Sequence, residues 1–241
     1  MTQVAKNSIF LPHFRITLGS GTPIVLLHGW GGSIESWQIL EKNLIDSGYT
    51  VIVVDFAGFG QTPEPPSDWG INEYAQSIRM LLDHLEYKEY NLIGHSFGGR
   101  VCILLANYKS VNKILLCNSA GLKPKRSLKY HFKVWKYKLN KKLGKDTTNA
   151  GSHDYRALSD NMKQVFVKVV NQHLDAQLSR ITTPTLIVWG DKDTETPLYM
   201  AKKLNKNIVG SGLIVLKDAG HYSYIQYSQR FFLIVESFFS K

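Results

Sequence analysis

Short apolar runs alternating with helical stretches are the feature that most narrows what this chain can become. Residues 24–27, 51–54, 90–93, 113–117, 185–189 and 213–216 are brief, almost continuously apolar, and bounded by Gly, Pro, Asn or Asp. Such runs suit strands covered on both faces, as in a parallel sheet. Between them lie stretches with helical spacing over 34–47, 72–85, 97–108, 197–204 and 228–239. Parallel neighbours need a crossover connection. The alternation therefore predicts right-handed βαβ units and an α/β, doubly wound, mostly parallel sheet.

The alternation is interrupted once, where 67 residues separate the runs at 113–117 and 185–189. A structureless loop of that length does not suit a compact domain, so an insertion with its own helices is expected. Leu128, Phe132, Trp135, Leu139 and Leu143 recur at spacings of 4, 3, 4 and 4, which is one face of a helix. A second helix is expected over 159–170. The expected organisation is a core built from residues 1–121 and 181–241, with a short helical cap, 122–180, over the ends of the sheet. Hydrophobic residues make up 44% of the chain, enough for a packed core, which excludes a disordered chain.

The insertion also holds the charge. The chain carries a net +10, and residues 122–180 contain 14 Lys and Arg against 4 Asp and Glu, which accounts for all of it. No recognition motif accompanies the basic stretch, so nucleic acid is not expected as a partner. A solvated helix face is the plain explanation for the lysines. Steering of anionic substrates ranks second. Contact with an anionic membrane surface through the interleaved Tyr130, Phe132 and Trp135 ranks third. The sequence shows no run long enough for a transmembrane helix and no secretory leader. Cys102 and Cys117 each lie in an apolar run and read as buried reduced thiols, which fits a cytoplasmic setting.

Chemistry enters after the run at 90–93. Gly94-His95-Ser96-Phe97-Gly98 stands between a strand and a helix, the context that the G-x-S-x-G pattern requires. A sharp turn there strains the serine backbone and exposes Ser96 Oγ at the end of the strand. Small residues two positions to either side let strand and helix pack closely. The helix start beneath offers unpaired N–H groups to a developing anion.

Together with three other motifs, this pattern resembles the α/β-hydrolase superfamily over nearly the whole chain. His28-Gly29-Trp30-Gly31-Gly32 resembles the family's oxyanion loop, and Asp55-Phe56-Ala57-Gly58-Phe59-Gly60 its D-x-x-G-x-G turn. Trp189-Gly190-Asp191-Lys192-Asp193 and Ala219-Gly220-His221 follow the last two strands. The resemblance implies the α/β-hydrolase fold with its cap inserted after the sixth family strand. It also implies a triad of Ser96 as nucleophile, Asp193 as acid and His221 as base. Asp191 competes with Asp193, which is favoured because the family places a Pro a few residues on, here Pro197. Asp55 is a weaker third candidate, with a structural role in the family. Backbone N–H groups of Trp30 and Phe97 would form the oxyanion hole, and Trp30, Phe132 and Trp135 would contact substrate.

Among the remaining residues, His95 is expected to pack under the elbow and His28 to order the oxyanion loop. The other histidines lack metal spacing, and Gly58-x-Gly60 lacks the third glycine of a dinucleotide fingerprint. No cofactor and no metal are expected. The expected substrate is a small-molecule ester or related acyl compound of short or medium acyl chain, either neutral or anionic. Carbon–carbon bond hydrolases share the triad. So do lyases of menaquinone synthesis, whose elbow also runs Ser-x-Gly-Gly-Arg, as in Ser96 to Arg100. Arg100 falls about one turn into the helix and could bind a carboxylate or phosphate. A small-molecule receptor with residual hydrolysis is the alternative outside enzymology.

Overall fold

The structure is a computed structural model describing residues 9–125 and 153–240. The helix expected over 128–143, with Phe132 and Trp135, lies outside the described residues. Among the described residues, seven strands form one sheet: β1 (His13–Thr17), β2 (Ser20–Leu27), β3 (Tyr49–Asp55), β4 (Tyr90–His95), β5 (Val111–Cys117), β6 (Thr185–Gly190) and β7 (Gly212–Leu216). Their order is β1-β3-β2-β4-β5-β6-β7, parallel throughout except where β1 pairs antiparallel with β3.

Both faces are covered, and the strands show it by alternation. Val25 and Leu27 of β2, with Ile52 and Val54 of β3, enter one hydrophobic cluster. Ile24 and Leu26, with Val51 and Val53, enter the other. Period-two geometry thus feeds two cores, which explains why these strands read as unbroken apolar runs.

The described helices are α1 (Gln38–Asp46), α2 (Ile71–Leu85), α3 (Phe97–Leu105), α4 (His153–Ala157), α5 (Asp160–Asn171), α6 (Tyr199–Asn207) and, after the last strand, α7 (Ser223–Gln226) and α8 (Ser228–Phe239). In α2 the buried Ile71, Tyr74, Ala75, Ile78, Leu81 and Leu82 recur at three- and four-residue intervals, one helix face turned to the core. Glu73 accepts from the Gly70 N–H at 2.7 Å and satisfies an orphan donor at the start of that helix. The stretch read as a helix over 34–47 begins as a 3₁₀ turn, Ile34–Trp37, before α1.

The strand β1 was not anticipated. His13-Phe14-Arg15-Ile16-Thr17 alternates polar with apolar residues on a half-buried sheet edge, so it lacks the continuous apolar run of the central strands. Between β5 and β6, α5 matches the helix expected over 159–170, with Ser159 Oγ accepting from Met162 N–H at its start. Its Met162, Val165 and Val169 join the main core cluster. Among the described residues no helix is long and apolar enough to cross a membrane.

Strand order positions the site. From β2 the chain steps to β3 on one side, then crosses to β4 on the other. The carboxyl ends of β2 and β4 therefore flank a topological switch point, where open α/β sheets form their crevice.

Candidate active site

The elbow between β4 and α3 has the strain expected of it. Ser96 adopts φ +48°, ψ −106°, a conformation costly for a residue with a side chain. The residues two positions to either side, Gly94 and Gly98, are glycines because nothing larger fits. A Cβ on Gly98 would stand 2.1 Å from the Leu27 carbonyl oxygen, and one on Gly94 would stand 2.5 Å from the Gly98 backbone. The turn is tied from both sides: Ser96 N–H donates to Cys117 O at 3.1 Å, and Gly98 N–H donates to His28 O at 3.0 Å.

The loop after β2 is held by its histidine. His28 Nδ1–H donates to Gly29 O at 2.6 Å, and Nε2 accepts from Phe56 N–H at 3.1 Å. These two bonds fix the neutral tautomer, and burial pushes the His28 pKa down to about 4. The backbone N–H groups of Trp30 and Phe97 have no protein acceptor among the described residues. Trp30 also packs edge-on against Phe59, Phe97 and, from α5, Phe166.

Asp193 and His221 come from the loops after β6 and β7. His221 Nδ1–H donates to Asp193 Oδ2 at 2.9 Å. Asp191 instead accepts the Asp218 N–H at 2.7 Å and ties two loops together. Asp55 is also engaged elsewhere: it accepts from Ile34 N–H at 2.7 Å and Gln61 N–H at 3.0 Å, with His13 Nδ1 at 3.2 Å, and so shapes its own turn.

Five hydrogen bonds converge on the Asp193 carboxylate. Oδ1 accepts from the backbone N–H groups of Glu195 and Thr196, at 2.8 and 2.9 Å. Oδ2 accepts from His221, from Asn118 Nδ2 at 2.6 Å and from Thr196 Oγ1 at 2.6 Å. Burial alone would raise the pKa of this carboxyl, but the bonds from His221, Thr196 and Asn118 outweigh it and hold the group down at about 2.

His95, expected under the elbow, is buried against His221 and lines the same cleft as Ser96. Its Nε2–H donates to His221 O at 3.0 Å, its ring centre is 4.8 Å from that of His221, and burial lowers its pKa to about 3. Ser96, His221, Trp30 and Phe97 then line one cleft of about 680 Å³, together with Arg100, Glu195 and, from α5, Phe166, Val169 and Val170.

Sequence reasoning missed Asn118, Thr196 and Glu195. Thr196 follows Asp193 closely and could have been suspected as an N–H and hydroxyl donor to it. Asn118 is 75 residues away in sequence and carries no motif. Glu195 Oε2 stands 3.4 Å from His221 Nε2, an approach that no spacing pattern encodes.

With this geometry in hand, comparisons with known proteins agree on the class. Residues 22–143 match the family described as the alpha/beta hydrolase fold, and residues 161–241 match a family described as TAP-like protein. The chain belongs to the α/β-hydrolase family and is a hydrolase. It is 25% identical over 261 residues to a 2-hydroxy-6-oxononadienedioate/2-hydroxy-6-oxononatrienedioate hydrolase of Escherichia coli (strain K12), covering 95% of this chain and 91% of that protein. Among solved structures it is similar to an esterase from Exiguobacterium antarcticum (TM-score 0.75, 24% identity, 93% and 94% of the two chains covered). It is also similar to a bromoperoxidase from Bacillus anthracis (TM-score 0.76, 22% identity, 95% of each chain covered). At these identities the likeness to solved structures speaks for the fold alone.

Proposed function

We propose that this chain is a serine hydrolase that acts through an acyl-enzyme on carboxylic esters of short or medium acyl chain. The observation that carries the reading is the Asp193–His221 hydrogen bond at the wall of the cleft that Ser96 also lines. Asp193 accepts from Nδ1, so the neutral imidazole keeps a lone pair on Nε2. Ser96 Oγ attacks the ester carbonyl while His221 Nε2 takes its proton. The carbonyl oxygen becomes an oxyanion that the Trp30 and Phe97 N–H groups receive, each donor being worth roughly 2.7–4 kcal/mol. The tetrahedral intermediate collapses, His221 gives the proton to the leaving alcohol, and Ser96 retains the acyl group. Water, deprotonated by His221, then releases the acid.

In this reading residues 122–180 form the cap, with Phe166, Val169 and Val170 of α5 forming its described contribution to the cleft wall. Phe132 and Trp135, outside the described residues, remain proposed substrate contacts. A cytoplasmic setting belongs to the same reading. Cys102 and Cys117 are both buried free thiols, and burial pushes Cys117 up to about 12.

A second reading is carbon–carbon bond hydrolysis on the same residues, favoured by the name and near-full-length match of the Escherichia coli relative. A p-nitrophenyl ester series from acetate to palmitate separates the two. Multiple turnovers with an optimum at short or medium chain, lost in Ser96→Ala, are expected. Stoichiometric phosphonate labelling of Ser96 without ester turnover would favour carbon–carbon cleavage.

A further inference from the structure

Arg100 is a cation where a cation is costly. It lies four residues after Ser96, about one helical turn along α3, and only 7% of its surface is exposed. Burial lowers its pKa to about 10, and no acidic residue among those described forms an ion pair with it. Its protein partners are two carbonyls at the end of α5, Val169 O at 3.0 Å and Gln172 O at 2.8 Å, and both bonds come from Nη1. The negative end of the helix dipole offsets part of the desolvation.

A guanidinium has five N–H donors. Nη1 spends both of its own on these carbonyls. The Nε and Nη2 donors have no protein acceptor among the described residues, and the side chain lines the same cleft as Ser96 and His221. The Nε–Nη2 edge is the flat fork that matches the two oxygens of a carboxylate. Glu195, the anionic residue of the described lining, stands against His221 Nε2 rather than against Arg100.

We propose that Arg100 is a specificity-determining residue that receives a carboxylate of the substrate, so the natural substrate is an acid-bearing ester or acyl compound. The carboxylate lies a few bonds from the carbonyl that reacts. This rests on the hydrolase reading only for what happens at that carbonyl; the anion site stands on Arg100 alone. The two carbonyl bonds hold the guanidinium through Nη1 and leave Nε and Nη2 to a ligand in the cleft that the side chain lines.

The test has a binding arm and a turnover arm. In the Ser96→Ala background, where no hydrolysis intervenes, calorimetry compares glutarate with its dimethyl ester. Glutarate should bind more tightly, and the affinity ratio should fall about tenfold or more when Arg100→Met is added. Arg100→Lys, which keeps the charge but lacks the fork, should fall between. It also carries the test if the Met variant does not fold, since its ratio must then drop below that of Arg100. A ratio that is the same with Arg, Lys or Met at position 100 overturns the proposal.

The turnover arm uses mono-p-nitrophenyl glutarate and p-nitrophenyl valerate on protein with Ser96 intact. An Arg100-dependent preference in kcat/KM for the glutarate is expected, whereas a purely structural role would lower both rates together. Turnover of both esters with a ratio indifferent to residue 100 would sink the anion site and leave the ester reading standing. Arg100-dependent glutarate binding without turnover of either ester would do the reverse.

Discussion

Asn118 donates from Nδ2 to Asp193 Oδ2 at 2.6 Å while its own backbone is left-handed, with φ +43°. Its Oδ1 accepts from Ser223 Oγ at 2.5 Å, and its N–H donates to Val188 O at 3.1 Å. One residue at the end of β5 thus links the loop after β6 to the short helix that follows His221. A side chain so placed fixes the carboxylate before the carboxylate fixes the imidazole.

Replacing Asn118 should therefore cost more than one hydrogen bond. Asn118→Ala removes a donor to a buried carboxylate and puts a Cβ-bearing residue without a polar side chain into a left-handed site. A stability loss of roughly 2–4 kcal/mol is expected, together with lower kcat and little change in KM. Asn118→Gly keeps the backbone conformation free of strain and should recover part of the stability but not the rate. Urea unfolding and steady-state kinetics on the two variants check this. Equal recovery of stability and rate in the glycine variant would show that the amide does not position Asp193.

Stability should fall in mild acid. His28 and His95 are held neutral by burial, with pKa values lowered to about 4 and about 3. An unfolded imidazole binds a proton near pH ~6.5. Below that pH the unfolded chain binds more protons than the native one, so stability drops as pH falls through the interval down to about 4. The slope should approach two protons, and one proton less in His95→Gln, which keeps a donor in place of Nε2. Asp193, held down at about 2, adds its loss only below the unfolded carboxyl value near ~4. Urea midpoints across this range provide the measurement, and a midpoint flat from about pH 6.5 to 4 would contradict the assignment.

Glu195 lines the cleft beside His221. Its side chain is 61% exposed and its Oε2 is 3.4 Å from His221 Nε2, so the pair contributes little to stability, about 0–1 kcal/mol. Glu195→Gln should leave the melting temperature nearly unchanged. It should raise kcat/KM for acid-bearing esters about two- to fivefold by removing a like charge from the cleft. A fall of tenfold or more would instead give Glu195 a part in the chemistry.

The fold was legible to the extent that its interactions are local. Strands buried on both faces announce themselves as apolar runs, and the elbow announces itself because Gly94 and Gly98 are dictated by backbone contacts under 3 Å. The antiparallel edge strand β1 was not legible, because one half-buried edge needs only Phe14 and Ile16 as its apolar pair. Within the site, Asp193 and His221 were expected from the family resemblance, in which the loops that carry them follow strands in a fixed order. Asn118 was not found, because its bond to Asp193 joins residues 75 apart, and nothing in the local sequence distinguishes an asparagine that completes a carboxylate shell from one that ends a strand. Arg100 was visible as a residue, but its charge became informative only once its burial and its two carbonyl partners were known.

The most direct test of the serine mechanism is covalent labelling. An uncharged alkyl fluorophosphonate should add once per chain, with the adduct located by peptide mass spectrometry on Ser96, and the labelling rate should fall by about a hundredfold or more in His221→Ala. Ester turnover by a protein that is not labelled at Ser96, or labelling at an undiminished rate without His221, would contradict the proposed nucleophile and base.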